Sequence, residues 1–201
     1  MNTLKIIRNK STSFLGYHTK KGYICKPIIQ QIRAASVCID IGIVINSKSK
    51  DMRIVIQRVK QASVTINDKI GSEIGSGYLI LLGIEEADHQ EDADWLVKKV
   101  VGLRVFNDEN GVMNLNIIDT HGEALVVSQF TLFASYKKGN RPSWYRAARH
   151  EISIPLYEYF CSRLEQEMHK PIGKGVFGAD MKVALLNDGP VTIIMDSKSR
   201  E

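Results

Sequence analysis

Cysteine, charge of one sign and long apolar runs are what this 201-residue chain has least of, and each scarcity excludes something. Two of its three cysteines, Cys25 and Cys38, fall within the first 51 residues, which leaves Cys161 alone in the rest. A lone cysteine supports neither a disulfide framework nor a zinc site, and on an apolar helical stripe it reads as a small buried hydrophobe. The five histidines, His18, His89, His121, His150 and His169, have no metal-ligand spacing, so no metal and no cofactor is expected. No serine sits in a G-x-S-x-G elbow, since Ser128 is flanked by Val126 and Phe130. No apolar run approaches the roughly 18 residues of a membrane span, and a cytoplasmic location without a membrane partner is the expectation.

The net charge of +5 is unevenly placed. Residues 1–51 hold nine Lys/Arg against only Asp40 and Asp51, a net +7, which leaves −2 for the remainder. Bulk electrostatics therefore does not recruit nucleic acid to residues 52–201, and any RNA contact there must use a local basic patch. The composition shift at Met52 divides the chain into a basic extension, 1–51, and a domain, 52–201. The extension lacks a signal-peptide layout. It is expected to be poorly ordered, as an upstream in-frame start or non-native leader would be, with a presequence as the alternative.

From Met52 onward the pattern is regular. Arg53–Val59 and Ala62–Ile66 are rich in β-branched residues and predict two strands. Asn67-Asp68-Lys69 makes a turn, and Ile70–Ile74 returns. Gly77–Ile84 is a continuous apolar run, as in a buried strand. Asp88 with Glu91 predicts a capping box for a helix to Leu103, with Ala93, Leu96, Val97, Val100 and Val101 inward. Glu123–Phe133 predicts a strand. A second helix, Ser153–His169, carries Tyr157, Phe160, Cys161, Leu164 and Met168 on one face and tolerates Pro155 in its first turn. Lys182–Leu186 and Val191–Met195 predict two closing strands. The fold class is mixed α/β: a barrel-like, mostly antiparallel sheet with two amphipathic helices packed outside.

Acid–base chemistry is hard to find. Glu85, Glu86 and Asp94 read as surface carboxylates, and Gly173-Lys174-Gly175-Val176-Phe177-Gly178 follows a helix, the reverse of a dinucleotide fingerprint. Either the chain is no enzyme, or its catalysis uses backbone groups and the substrate itself. Two stretches then stand out. Ser128-Gln129-Phe130-Thr131-Leu132 ends an apolar strand, and alternation puts Ser128 and Phe130 on one face, Gln129 and Thr131 on the other. Asn187-Asp188-Gly189-Pro190 reads as a turn between strands, and on its own an ordinary one with a trans peptide. The densest basic stretch, Lys137-Lys138-Gly139-Asn140-Arg141 with Arg146 and Arg149, is interleaved with Trp144 and Tyr145, and reads equally as a solvated loop or an RNA contact.

With both stretches in this order, the chain from Met52 to about Met195 resembles the D-aminoacyl-tRNA deacylases, hydrolases that remove D-amino acids from tRNA. The resemblance extends through Met52–Val59, Ala62–Thr65, Gly111–Asn116, Gly139–Ser143 and Phe177–Met181; residues 1–51 have no counterpart. It implies a homodimer in which the Gly189-Pro190 bond is cis and its carbonyls enter the opposite subunit's pocket, with Arg58 holding that loop. It implies catalytic roles for Gln129, Phe130 and Thr131, with backbone N–H groups around Gln129 and Phe130 as oxyanion donors. No histidine is placed to activate Thr131 as a nucleophile. Ser128, Phe177, Gly178, Ala179 and Met181 would line the substrate side. D-aminoacyl-tRNA is the implied substrate and glycyl-tRNA a second one, with the terminal 2′-hydroxyl assisting. The alternatives are a related L-alanyl-tRNA editing enzyme, a module otherwise fused to a synthetase, and a non-catalytic nucleic-acid-binding dimer on the same scaffold.

Overall fold

The computed structural model describes residues 51–200 and, before them, the strands β1 (Lys5–Asn9), β2 (Thr12–Thr19) and β3 (Gly22–Cys25). These three pair antiparallel in the order β1-β2-β3, although sequence reasoning placed no strands there. The remaining residues expected to be poorly ordered lie outside the described ones. The chain divides into two compact units, Met1–Ile45 and Asn46–Glu201. Asp51 and Met52 belong to the second and are buried in it. The Met52 N–H donates to Ser197 Oγ at 3.2 Å, and the Ser199 hydroxyl donates to Asp51 at 2.5 Å.

The second unit is built on one mixed sheet. Its strands are β4 (Arg53–Ile66), β5 (Lys69–Ile74), β6 (Gly77–Gly83), β9 (Glu123–Ser128), β10 (Gly173–Lys174) and β11 (Lys182–Asp196), ordered β10-β9-β6-β4-β11 with β5 on β4. β6–β9 and β9–β10 pair parallel and the other pairs antiparallel. The helices α1 (Gln90–Gly102) and α2 (His150–Met168) make the crossovers between the parallel strands. A two-stranded hairpin, β7 (Phe106–Asn107) with β8 (Met113–Leu115), follows α1. β5 curls back against β10, which gives the barrel-like form.

Alternation explains the packing. Tyr78, Ile80 and Leu82 of β6, with Ala124 and Val126 of β9, face the helices and meet Leu96, Val97, Val100, Phe160 and Leu164. Leu79, Leu125 and Val127 face the other way, into a second cluster with Val59, Ala62, Val64 and Ile74. Strands buried on both faces read as unbroken apolar runs. Cys161 is fully buried in the first cluster, and burial pushes its thiol up to about 12, so it behaves as the expected hydrophobe.

Five local expectations need correction. The two strands expected over 53–66 are one, because β4 changes partner from β6 to β5 without breaking. The N-terminus of α1 is closed by Asp92, which accepts the His89 N–H at 2.9 Å; Asp88 instead accepts the Glu85 N–H at 2.6 Å. Helix α2 begins at His150, so Pro155 lies in its second turn and removes the bond to the Glu151 carbonyl, on the exposed side where water can take its place. Strand β9 stops at Ser128, and Phe130–Phe133 forms a 3-10 turn. Finally, Asn187–Thr192 does not separate two strands: β11 continues through it as one strand, interrupted by a bulge.

Candidate active site

The 3-10 turn exists because of what lies across the sheet. The Gln129 N–H makes the last rung of the parallel ladder, donating to the Leu82 carbonyl at 2.7 Å. The next residue on β6, Gly83, has no side chain, and a Cβ there would stand 2.8 Å from Phe133 Cε2 and 3.2 Å from the Gln129 oxygen. The turn folds into that space and buries Phe133 between the Arg53 and Arg146 guanidiniums, at 5.8 and 5.3 Å from the ring centre. Arg53 is held by Asp196 at 2.7 and 2.8 Å and reaches the Leu132 carbonyl at 3.4 Å. Arg146 pairs with Glu85. Alternation past Ser128 is therefore lost, and Phe130 is 55% exposed rather than in the core.

This changes the donor assignment. The Gln129 N–H is committed to the sheet and is not free for an oxyanion. The first N–H groups of a helical turn have no partner within it. Here those of Phe130 and Thr131 have none among the described residues; the turn's bonds begin with Leu132 N–H to the Gln129 carbonyl, 3.3 Å. The Thr131 hydroxyl accepts a short bond from the Gln129 side-chain amide Nε2.

Beside the turn lies a cavity of about 500 Å³, largely apolar. Leu82, Ile84, Ser128, Gln129 and Phe130 form one side, Trp144, Ala147 and Ala148 another, and the first turn of α2 with Phe177 the third. Phe130 and Trp144 meet edge to face at 5.3 Å, and Phe177 stands edge-on to His150 at 5.6 Å and to Tyr157 at 5.9 Å. Of the residues expected on the substrate side, Ser128 and Phe177 line this cavity. Thr131, Gly178, Ala179 and Met181 do not; Met181 instead packs on the second apolar cluster.

Sequence reasoning missed several neighbours. Glu85, read as surface, is 1% exposed; burial raises its carboxyl above the usual range although Arg146 pulls the other way. Glu86 does lie at the surface, paired with Arg149 at 2.7 Å, and Asp94 pairs with Arg163 at 2.9 Å. His150 and Glu151 reach the cavity only because α2 starts earlier than its apolar stripe suggests. No group of His, Cys, Asp and Glu that could hold a metal occurs among the described residues.

The second motif is a bulge. Asn187 pairs with Val59 and Thr192 with Gln57, so four residues, Asp188 to Val191, stand opposite the single residue Arg58. The buried Arg58 donates to the Asp188 carbonyl at 3.0 Å, to the Val105 carbonyl, and to Asn107 Oδ1 at 3.4 Å. Its Nε also lies 3.3 Å from the Asp188 carboxylate, and Asn187 Oδ1 accepts the Val191 N–H at 3.3 Å. The Gly189–Pro190 peptide is cis, and Gly189 has φ +128°, where a Cβ would stand 3.0 Å from the guanidinium. Both residues are exposed and neither lines the chain's own cavity. Arg58, Gly189 and Pro190 thus form one group, and Ser128, Gln129, Phe130 and Phe177 another.

A family model described as D-Tyr-tRNA(Tyr) deacylase matches residues 55–196. The chain is similar to the D-aminoacyl-tRNA deacylases of Phocaeicola vulgatus, at 64% identity, and Bacteroides thetaiotaomicron, at 65%. Each match runs over 150 residues, 75% of this chain and 100% of the relative. Among solved structures it is similar to one described as c-Myc DNA Unwinding Element Binding Protein, with TM-score 0.68 and 41% identity, covering 72% of this chain and 97% of that one. Another, described as a probable eukaryotic D-amino acid tRNA deacylase, has TM-score 0.64 at 16% identity, covering 73% and 99%, a likeness of fold alone.

Proposed function

The chain belongs to the D-aminoacyl-tRNA deacylase family, and from that membership we propose that it hydrolyses the ester bond of D-aminoacyl-tRNA to free tRNA and D-amino acid. The observation that carries this reading is the pair of open N–H groups at Phe130 and Thr131, on a turn whose Phe130 side chain lines an apolar cavity. An aminoacyl ester is already activated, so its hydrolysis depends mainly on a positioned water and donors for the developing oxyanion. Water adds to the carbonyl carbon, and the carbonyl electrons move onto oxygen, where the two N–H groups hold the charge. The bond to the terminal ribose then breaks, and the ribose oxygen leaves with the proton given up by the water. The neighbouring 2′-hydroxyl orients that water, which makes the tRNA a participant. Loss of one such donor lowers the rate by about 10²–10³.

Chirality, in this proposal, is imposed from outside the chain. The partner subunit's Gly189 and Pro190 present carbonyls to the substrate ammonium, so that a D side chain points outward and an L side chain meets the wall. Support comes from the exposure of these residues away from their own cavity and from Leu185, Leu186 and Ile194, exposed apolar residues of β11. β11 pairs with β4 alone among the described strands, which leaves its other edge open for a homodimer. Glycyl-tRNA, without a side chain, passes the same filter. Residues 52–201 form the working domain, in the compartment that holds charged tRNA.

Incubation with D-tyrosyl-, L-tyrosyl- and glycyl-tRNA tests the reading. Release from the D and glycyl esters is expected, with the L ester left intact. Release from L at the D rate removes the chiral filter, and release from none favours the non-catalytic nucleic-acid-binding dimer. Sedimentation is expected to give two subunits; a lone subunit removes the shared site. Deletion of residues 2–51 is expected to leave hydrolysis intact.

A further inference from the structure

Aromatic residues are scarce in this chain, at 7%, and most of those whose burial is described are wholly or partly buried. Among the residues whose burial is described, the exposed ones are Phe130, Tyr136, Trp144 and Tyr145, and all four fall in this single short stretch. Tyr136 and Tyr145 are 76% and 77% exposed. Core packing explains none of this exposure, because a tyrosine ring is usually at least half covered in a folded protein.

The same stretch is the chain's local excess of positive charge. Residues 134–149 contain no Asp or Glu but five cations, within a domain of net −2. Glu85 and Glu86 neutralise Arg146 and Arg149. Lys137, Lys138 and Arg141 are exposed and have no acidic partner among the described residues. An antiparallel bridge between Ser135 and Ser143, with N–H to carbonyl bonds of 2.8 and 2.9 Å, fixes the base of the loop. Trp144, next to that bridge, lines the cavity against Phe130. The loop therefore leads outward from the cavity rim, carrying rings and unneutralised cations.

We propose that Tyr136, Lys137, Lys138, Arg141 and Tyr145 form a track for the unpaired 3′ end of the RNA, whose bases stack on the tyrosines while its phosphates meet the cations. Rings interleaved with cations are the usual platform for single-stranded nucleic acid, whereas a duplex offers no free base faces. The track rests on the deacylase reading for the identity of its ligand, and it explains how an ester at the end of a flexible strand reaches the cavity.

The test uses the full chain, a labelled single-stranded RNA ACCA and a duplex of equal length. It adds two esters, D-tyrosyl-tRNA and D-tyrosyl-adenosine, the second too short to reach the loop. Tyr136→Ala and Tyr145→Ala are each expected to weaken strand binding about tenfold, while Tyr→Phe at either position restores it. Replacing Lys137 and Lys138 by alanine is expected to make the slope of log affinity against log salt shallower by roughly 0.7 per lysine. In turnover, KM for D-tyrosyl-tRNA rises and hydrolysis of D-tyrosyl-adenosine stays within about twofold, since stacking beyond the terminal nucleoside is all that is lost. Unchanged strand binding in the tyrosine variants, tighter binding of the duplex, or equal loss on both esters overturns the track. A wild-type chain that binds the strand and hydrolyses neither ester overturns the deacylase reading and leaves the track standing.

Discussion

The two motifs depart from the sheet in opposite ways. At Ser128 the strand ends, the chain tightens into a turn, and N–H groups are left open beside a cavity. At Asn187 the strand continues, but four residues are extruded opposite one arginine, which holds the Asp188 carbonyl. One departure makes a concave region with donors, the other a convex region built around exposed carbonyl-bearing residues outside the ladder. Reactivity and selectivity can then reside in separate pieces of structure. A change in the bulge should alter which substrate reacts, and a change in the turn should alter how fast.

Arg58→Ala tests that separation with the largest effect. It leaves the Val105 and Asp188 carbonyls without their buried cationic donor. About 3 kcal/mol of stability should be lost in urea unfolding, with preference for the D ester falling more than the rate. Gly83→Ala comes next, because its Cβ would collide with Phe133 and the Gln129 oxygen. It should cost about 1–3 kcal/mol and reduce kcat while leaving the D-to-L ratio unchanged. A variant of Gly83 that altered the ratio would break the division between the regions.

The pH dependence of stability gives a smaller effect. Glu85 and Asp88 both have carboxyls raised chiefly by burial, so the folded chain holds their protons more tightly than the unfolded one. Stability should therefore rise as pH falls through their raised pKa values toward the ordinary carboxylate range. Glu85→Gln should flatten part of that rise in thermal melts. In more acid solution Asp92 acts with the opposite sign. Burial alone would raise it, but the His89 N–H, Ser197 and Lys198 hold it below the usual range, and its contribution is lost on protonation. The smallest change is expected for Thr131→Val. The hydroxyl accepts from Gln129 and lies off the cavity, so initial rates should move by no more than about threefold. A collapse in rate would make Thr131 a nucleophile.

What the sequence made legible was periodic. The α1 stripe, the Tyr157–Met168 face and the doubly buried run in β6 follow from spacing alone, and the structure buries them as expected. Phe130-Thr131-Leu132-Phe133 reads as strand because its residues suit one; the turn is dictated by Gly83 on another strand and by two arginines from distant segments. Asn187–Pro190 reads as a turn because bulges and turns use the same residues. Only the unbroken partner strand, with Arg58 opposite, distinguishes them. Glu85 reads as surface because an isolated carboxylate usually is; its partner lies 61 residues further along the chain. The family resemblance, by contrast, was carried by whole motifs and agrees with the family match over residues 55–196.

The last rung from Gln129 to Leu82 places two adjacent amides in very different surroundings. One hydrogen is held in the ladder; its two neighbours have no partner among the described residues. In deuterium oxide the Gln129 amide should retain its proton until the whole unit opens, while Phe130 and Thr131 trade theirs almost at once. Slowing of that trade by a bound carbonyl or oxyanion would report occupancy directly, with no turnover required.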